Sequence, residues 1–453
     1  MHRFFVVGGL GAGYWILDAR CLMGYSVSAI QYPPSSIQYP PPSIRFFPIF
    51  PSKKLDSIQP TSTRQPIISR TIWLLSLVSL FTDVASEMLY PIMPIFLKHI
   101  GFSVMLIGFL EGLAEAVSGL SKPWFGQWSD ISGKRLPFVQ WGYGLSAISK
   151  PLMAVFAHPL WIFIARTMDR MGKGIRTAAR DALLSDEATA GTKARVFGFH
   201  RSMDTMGAVM GPILALVFLY YYPGQYKLLF VMAFLPGLLA IAATFLIKEK
   251  AKPSQVAPRP GLFSFLKYWQ KAPSDYKHLV TGLLFFALFN SSDVFLLLRM
   301  KESGLTDTAV IAIYIFYNLV QALFAYPAGM VGDKLGMKRV LLLGLFVFAL
   351  VYIGFAFSQK LEVYIALFTF YGLYAATTGG IAKAWISNMV PRTETATAIG
   401  TFAGLQSLAA LAASSFTGVL WYYWGATVTL CITAGATVLS IVYLSRIRER
   451  FVD

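Results

Sequence analysis

The sequence predicts an all-α polytopic membrane protein with twelve transmembrane helices in two similar six-helix bundles. Three observations predict this fold class. The 453 residues are 56% hydrophobic and only 13% charged, long apolar segments follow one another along the chain, and a charged loop occurs twice. Soluble proteins carry about 25% charged residues. Lipid is therefore the expected solvent for most of this chain.

Twelve apolar segments have the length of roughly 18 to 25 residues that an α-helix needs to cross a bilayer. The predicted spans are 72–97, 105–128, 136–157, 159–181, 196–221, 226–247, 277–299, 308–331, 338–358, 361–389, 396–421 and 425–445. They divide the chain into an N-terminal extension (1–65), an N-terminal six-helix bundle (66–247), a cytoplasmic linker (248–276) and a C-terminal six-helix bundle (277–453).

Lysine and arginine residues concentrate in alternate loops between the spans. Lys134 and Arg135 follow the second span, and a larger basic group lies in the linker. Because basic loops remain in the cytoplasm, this bias predicts that both termini are cytoplasmic in a prokaryotic inner membrane. The formal charge of +17 is then a topology signal, and we expect no nucleic-acid partner.

The N-terminal extension does not follow the pattern of the spans. Its apolar stretch 4–17 is too short to cross a bilayer comfortably, and the near-repeat QYPPSSI, QYPPPSI is rich in proline and serine. We expect this extension to be disordered or to result from a start codon assigned too early. The two cysteines, Cys21 and Cys431, provide no disulfide framework, and neither a metal site nor a cofactor is predicted.

A short loop occurs once in each half of the chain. The first copy contains Gly126, Asp130, Gly133, Lys134 and Arg135, and the second contains Gly329, Asp333, Gly336, Lys338 and Arg339. Both copies read G-x-x-x-D-x-x-G and join the second helix of a half to the third, which indicates an internal repeat. The first glycine permits close helix contact, the aspartate can cap a neighbouring helix, and the second glycine forms a turn.

This repeated loop resembles the cytoplasmic loop motif of the major facilitator superfamily of secondary carriers. The resemblance implies two six-helix bundles, alternating access, and a conformational latch at Asp130. The position after Asp130 departs from the family, because Ile131 stands where the family usually has a cation. The partners of Asp130 are therefore expected to differ from the usual set.

The fifth span contains a second motif that resembles the superfamily. Gly207, Gly211 and Pro212 are similar to the helix-5 motif that the superfamily associates with antiporters, and this favours export. The same spacing also occurs in generic membrane-helix packing, which remains an alternative interpretation.

Carboxylates inside the spans are the candidates for proton coupling. They are Asp83 and Glu87 in the first span, Glu111 and Glu115 in the second, and Asp204 in the fifth. Each charged residue costs roughly 2.5 to 3.5 kcal/mol at mid-bilayer and persists only when it is paired or faces a cavity. Carboxyl pairs in a low-dielectric site can take up and release protons. The alternative is that these acids form fixed ion pairs with Lys122, Lys150 and Arg166.

The fourth span is unusually rich in charge. Its charged residues are Arg166, Asp169, Arg170, Lys173, Arg176, Arg180 and Asp181. Four of them, Asp169, Lys173, Arg176 and Arg180, recur at helical spacing. They form one polar stripe, the helix-4 stripe, that cannot face lipid. The D-R-x-G-K-G-x-R stretch resembles a poorly characterised prokaryotic group of the superfamily. The stripe could join His200, Arg201 and Asp204 in an internal latch, or its cations could bind an anionic substrate.

The C-terminal half contains fewer charges and more aromatic residues. Asn290, Asp293, Tyr371 and Trp385 are its candidate cavity residues. This composition is typical of a mainly apolar cavity with few polar anchors.

Together these features predict a monomeric secondary transporter that binds protons and a small molecule and exports small amphipathic compounds. Uptake or facilitated transport of an anionic metabolite or a metal chelate is the alternative. A membrane-embedded enzyme or sensor is a more remote one. Against an enzyme, the sequence contains no H-E-x-x-H or G-x-S-x-G motif and no metal-spaced histidine cluster.

Overall fold

The structure is a computed structural model. It describes two three-residue strands near the start of the chain and residues 67–90, 93, 96–97, 104–156, 158–249, 261, 263–291 and 293–447. Two compact units are present, Met1–Thr63 and Arg64–Asp453. In the first unit β1 (Phe5–Val7) and β2 (Trp15–Leu17) pair antiparallel. The rest of the N-terminal extension lies outside the described residues, and the expectation of disorder there stays a prediction.

The second unit is built from α-helices. In chain order they are α1 (Arg70–Glu87), α2 (Val104–Ser132), α3 (Leu136–Val155), α4 (Pro159–Asp186), α5 (Lys193–Tyr221), α6 (Tyr226–Met232), α7 (Phe234–Thr244), α8 (Ser264–Lys271), α9 (Ser274–Ala287), α10 (Val294–Glu302), α11 (Asp307–Leu335), α12 (Met337–Phe357), α13 (Leu361–Asn388) and α14 (Thr395–Ser445). They follow the order of the twelve predicted spans, so the predicted all-α fold class is confirmed.

Five helical segments of the described chain are long and apolar enough to cross a membrane by length and composition alone. They are Lys193–Tyr221, Tyr226–Thr244, Met337–Phe357, Leu361–Asn388 and Thr395–Ser445. The helix α4 is not among them, since its second half carries the charged stripe. The residues of this stripe are buried in protein or line a cavity.

The last two predicted spans form the single element α14, which is interrupted at one residue. A straight helix of 51 residues would be about 77 Å long, whereas the apolar core of a bilayer is about 30 Å thick. Gly425 resolves this mismatch because its φ of 75° is non-helical and redirects the chain. Glycine adopts this conformation at no steric cost.

The seventh predicted span is also discontinuous. It is divided into α9 and α10, and the described residues between them, 288–291 and 293, are not helical. This segment has the sequence Leu-Phe-Asn-Ser-Ser-Asp, and such short polar side chains compete with the helix for backbone hydrogen bonds. In membrane proteins non-helical backbone is tolerated where it lines a cavity.

The two halves contact each other through α2 with α14 and through α5 with α11. Small residues allow the close approach. A Cβ atom on Gly126 would collide with the backbone of Ala396, and one on Gly329 would collide with the backbone of Ala194. The first glycine of each loop motif therefore lies at a close contact between the halves.

Candidate transport site

A cavity of about 700 Å³ lies between the two halves. Its charged lining residues are Asp83, Glu87, Lys122, Lys173, Arg176, Arg180, Arg201, Asp204, Asp293 and Lys383. Helices from both halves contribute to this list, and six cations stand against four acids. Small-molecule sites typically have volumes of about 300 to 1,000 Å³. The cavity therefore has the size of a site for one small organic molecule.

Two of the predicted proton-coupling residues face each other in this cavity. The side chains of Asp83 on α1 and Asp204 on α5 both line this cavity. Asp204 also accepts a hydrogen bond from Ser79 at 2.6 Å and is paired with Arg201 at 3.0 Å. Two carboxyl groups in one low-dielectric site oppose each other's ionisation, so such a pair can bind and release a proton.

Glycine contacts hold the carboxylates of α1 against α5. A Cβ atom on Gly207 would lie 2.8 Å from the Cβ of Asp83, and one on Gly211 would lie 2.8 Å from the Cβ of Glu87. Real Cβ contacts are not this short, so any larger residue would push the two helices apart. The helix-5 motif thus positions the two acids of the first span directly.

His200 was expected to join this network. Its side chain is buried beside a second cavity of about 300 Å³, which Arg180, Arg201 and Asp204 also line. Neither ring nitrogen of His200 has a hydrogen-bonding partner among the described residues. It is therefore a neighbour of the network rather than a hydrogen-bonded member.

The residues at the start of the helix-4 stripe form buried polar contacts between α3 and α4. Asp169 accepts a hydrogen bond from Ser146 at 2.5 Å, is paired with Lys150 at 3.1 Å, and lies 3.8 Å from Arg166. Lys150 and Arg166, considered above as partners for the acids of the first two spans, thus surround Asp169. These residues are buried and fix α3 against α4.

The end of the stripe forms an ion pair between the halves. Asp181 is fully buried and lies 2.9 Å from Arg180 of its own helix and 2.7 Å from Lys383 of α13. Arg180 also donates to Ser79 at 3.1 Å, which connects the ion pair to the carboxyl group of Asp204. One chain of polar contacts therefore runs from α13 through α4 to α1 and α5.

Asp130 of the first loop motif joins the two halves. It accepts hydrogen bonds from the backbone amide of Thr397 at 2.7 Å and from its hydroxyl at 2.8 Å. Arg135 is paired with Asp130 at 2.7 Å, contacts Asp186, and donates to the carbonyl of Arg392 at 2.8 Å. Thr397 belongs to the first turn of α14, where free amides and the helix dipole favour a negative charge.

Asp333 of the second loop motif makes the reciprocal contact. It accepts from the backbone amides of Ala194 at 3.0 Å and Arg195 at 3.1 Å, in the first turn of α5. Each half thus places one aspartate on the N-terminus of a helix of the other half. These contacts of the motif aspartates lie between the halves.

The other motif positions act locally. Gly133 and Gly336 have φ values of 64° and 95°, so both form the turn that the motif predicts. Lys338 donates to the carbonyls of Ser445 and Ile447, both at 2.6 Å, at the C-terminal end of α14. Lys134 and Arg339 are exposed.

The candidate cavity residues of the C-terminal half divide into two groups. Asn290 and Asp293 belong to the break between α9 and α10 and line the two cavities. Tyr371 is 2% exposed and donates a hydrogen bond to Asp293 at 2.6 Å, so it holds the Asp293 carboxyl group from the side of the core. Trp385 is fully buried in the core and is absent from both cavity linings. Neither Tyr371 nor Trp385 is among the residues that line these two cavities, and both are buried in the hydrophobic core.

Comparison with known proteins identifies the family. The model of the Major Facilitator Superfamily matches residues 75–300 and 278–451. The chain belongs to this superfamily. An uncharacterized MFS-type transporter of Methanocaldococcus jannaschii is 33% identical over 373 residues, which cover 81% of this chain and 92% of the relative. A multi-drug resistance efflux pump of Streptococcus pneumoniae is 23% identical over 69% of this chain and 79% of its own length.

Solved structures of superfamily members have the same fold. A human organic anion transporter superimposes with a TM-score of 0.72 at 16% identity, covering 84% of this chain and all of that one. A proton:xylose symporter superimposes with a TM-score of 0.63 at 14% identity, over 84% and 96% of the two chains. The protein is thus a multi-pass membrane transporter of the superfamily and not an enzyme. Its assignment to a subgroup with the D-R-x-G-K-G-x-R stretch stays a prediction.

Several functional contacts were not predicted from sequence. Thr397 as the partner of Asp130, and Ser407, which accepts from Lys122 at 2.8 Å, lie in the other half of the chain. The N-terminal position of Thr397 in α14 is a signal that could have indicated the first. Glu111 and Glu115 belong to α2, but their side chains lie outside the described part of the structure.

Proposed function

We propose that this superfamily member exports small amphipathic compounds in exchange for protons by alternating access. The observation that carries the proposal is the facing pair of carboxyl groups, Asp83 and Asp204, in the cavity between the halves. A group that binds a proton beside the substrate site can couple proton binding to substrate binding, because each binding step changes the local charge and hence the affinity of the other.

The contacts of the loop motifs support alternating access. Asp130 and Asp333 close the same end of the molecule, and both contacts must break before that end can open. A transporter needs two such states around one site, and reciprocal caps between halves provide a defined closed state. The state described here is the one with the loop end closed.

The network around Asp204 supports proton coupling. Arg180 lies 3.9 Å from Asp204, and Arg201 lies 3.0 Å from it, so cations compete with a proton for this carboxyl group. We place the coupling proton on Asp83, because these cations already hold the other carboxyl group, Asp204, in ion pairs. Rearrangement of Arg180, which is also paired with Asp181, would therefore change the protonation of the pair.

Two observations support export. Gly207 and Gly211 of the antiporter-like motif contact the helix that carries the acids, and relatives in Streptococcus pneumoniae and Bacillus subtilis bear the names of multidrug resistance proteins. Uptake of an anionic metabolite remains a second candidate, favoured by the cations Lys173 and Arg176 in the cavity. The two functions differ in the direction of net transport.

The basic loops support the proposed orientation, in which both termini are cytoplasmic in a prokaryotic inner membrane. A single chain is the proposed working unit. In this orientation the closed loop end faces the cytoplasm. The test is labelling of a Ser254→Cys variant with an impermeant maleimide. The thiol should react in everted vesicles and remain protected in intact cells. Labelling from the outside of intact cells would reverse the orientation.

The function itself is tested in everted vesicles with an imposed pH gradient. A panel of amphipathic anions, cations and neutral compounds is added, and accumulation is compared with vesicles that lack the protein. Export coupled to protons predicts accumulation that stops when a protonophore dissipates the gradient. Accumulation that ignores the protonophore would exclude proton coupling, and net flow out of the everted vesicles would favour uptake in the cell.

A further inference from the structure

We infer that the cavity holds an anion site formed by Lys173 and Arg176, so that the transported compound is an amphipathic organic anion. Transport of this anion rests on the proposed function, whereas the anion site follows from the geometry of the cavity alone. An acidic head group, a carboxylate, sulfonate or phosphate, would bind at α4. The apolar part would extend toward the C-terminal half.

The main observation is that Arg176 is buried at the cavity with donor atoms that have no acceptor among the described residues. Its side chain is 5% exposed and lines the cavity, yet its Nε and Nη1 atoms have no hydrogen-bonding partner among the described residues. Its guanidinium lies 4.5 Å from the ring centre of Tyr143. The ring stabilises the positive charge but cannot accept the in-plane N–H groups. A buried donor without an acceptor is costly, and a planar carboxylate, sulfonate or phosphate satisfies it.

Lys173 supplies the second charge. It lies one helical turn before Arg176, so both side chains are on one face of α4. Lys173 is exposed to the cavity and forms no hydrogen bond or ion pair with any described side chain. Asp83 and Glu87 line the same cavity as Lys173. Its ammonium group is therefore available to a ligand.

The other cations of the cavity are already engaged. Lys122 donates to Ser407, and Arg201 is paired with Asp204. Arg180 and Lys383 share Asp181. The helix-4 stripe thus has three parts: a structural start at Asp169, an ion pair between the halves at its end, and two cations in between that no described acid neutralises by contact.

The opposite wall suits the apolar part of such a molecule. Tyr314, Tyr317 and Leu411 line the cavity from the C-terminal half. Aromatic rings present apolar faces to a ligand, and a cavity of about 700 Å³ accommodates more than a small inorganic ion. An ion such as sulfate would meet the cations and leave most of this space to water.

The test measures charge selectivity at a thiol inside the cavity and needs no known substrate. Ala410 lines the cavity and is exposed to it. The variant Ala410→Cys is made with Cys21→Ser and Cys431→Ala, purified in detergent, and reacted with 2-sulfonatoethyl or 2-trimethylammonioethyl methanethiosulfonate. Each rate is divided by the rate of the same reagent with a free thiol. The measurement uses no pH gradient, so its outcome is independent of proton coupling.

We expect the anionic reagent to be favoured about tenfold, because cations outnumber acids in the cavity and an excess of one sign of charge concentrates ions of the opposite sign. Lys173→Gln and Arg176→Gln should each reduce this preference several-fold. Lys334→Gln, an exposed cation at the loop end, should leave it unchanged. Lys173 is exposed, so its variant is expected to fold even if Arg176→Gln does not.

Protection experiments identify the ligand class. Naphthalene-2-sulfonate should slow the reaction of the introduced thiol with uncharged methyl methanethiosulfonate, and Arg176→Gln should remove this protection. The matched amine, naphthalen-2-ylmethylammonium, should protect at least tenfold less well. Sulfate that protects as well as naphthalene-2-sulfonate would contradict an amphipathic ligand. Equal or better protection by the amine, a preference for the cationic reagent, or a thiol that reacts with no reagent would overturn the anion site.

Discussion

Asp130 accepts two hydrogen bonds from Thr397, at 2.7 and 2.8 Å, although the two residues lie 267 positions apart in different halves of the transporter. Asp333 makes the reciprocal contact with the amides of Ala194 and Arg195. The two copies of the loop motif thus make the same kind of contact, an aspartate on the first turn of a helix in the other half. Each half caps one helix of the other, and the two caps together define the closed loop end.

The first prediction concerns these caps. Asp130→Asn and Asp333→Asn remove the charge but keep the shape, and each should weaken the closed state by about 1 to 3 kcal/mol. That corresponds to a shift of about 5- to 150-fold toward the open loop end. Thr397→Val, which removes only the hydroxyl contact with Asp130, should have a smaller effect.

Labelling of a Thr378→Cys variant measures this shift. Thr378 lines the smaller cavity beside Phe197, close to the N-terminal end of α5. In everted vesicles an impermeant maleimide should label the introduced thiol faster in both Asn variants. Glu362→Gln, an exposed acid in the first turn of α13, is the matched control. Labelling at the control rate in both Asn variants would show that the caps do not hold the loop end closed.

The second prediction concerns the helix contact that positions the acids. Gly207→Ala and Gly211→Ala place a Cβ about where Asp83, Glu87 and the α1 backbone already lie, so both should destabilise the protein by about 1 to 3 kcal/mol and reduce transport. Gly144→Ala on α3 is the control, since a Cβ there meets nothing within 4 Å. Thermal unfolding in detergent provides the measurement. Unfolding temperatures unchanged from wild type for both variants would refute the close packing.

The third prediction concerns the ion pair between the halves. Asp181→Asn leaves Lys383 and Arg180 without their shared partner, and removing one member of a buried pair costs about 3 to 5 kcal/mol. The double variant Asp181→Asn, Lys383→Gln should therefore be more stable than Asp181→Asn alone. The same cycle on the more exposed pair of Arg299 and Glu302 should give little coupling. Additive effects of Asp181→Asn and Lys383→Gln on the unfolding temperature would mean that the pair does not couple the halves.

The sequence was sufficient for the features that depend on local pattern. The length of the apolar segments predicted the helices, and the spacing of Gly126, Asp130 and Gly133 predicted a close contact, a cap and a turn. The glycines Gly207 and Gly211 predicted a close helix contact, although not its partner α1. All three depend on residues near each other in the chain.

Features that depend on distant partners were not accessible in the same way. Nothing in the stripe of α4 distinguishes Lys173, which faces the cavity, from Arg180, which contacts Asp181, because the difference lies in what α13 places opposite. Tyr371 and Trp385 were expected in the cavity since aromatic residues suit either a cavity or a core, and only the packing decides between them. The break before α10 contains no proline or glycine, so its polar residues gave a weaker signal.

The most direct test of proton-coupled export is the effect of Asp83→Asn on accumulation driven by a pH gradient. The variant keeps the size of the side chain but cannot release a proton. With the compound found in the vesicle panel, Asp83→Asn should abolish accumulation in everted vesicles, while exchange at equal concentrations on both sides continues because it moves no net protons. Glu362→Gln should accumulate the compound like wild type. If Asp83→Asn, Glu87→Gln and the double variant all still accumulate the compound in response to the gradient, the acids of α1 are structural and the proposed coupling is wrong.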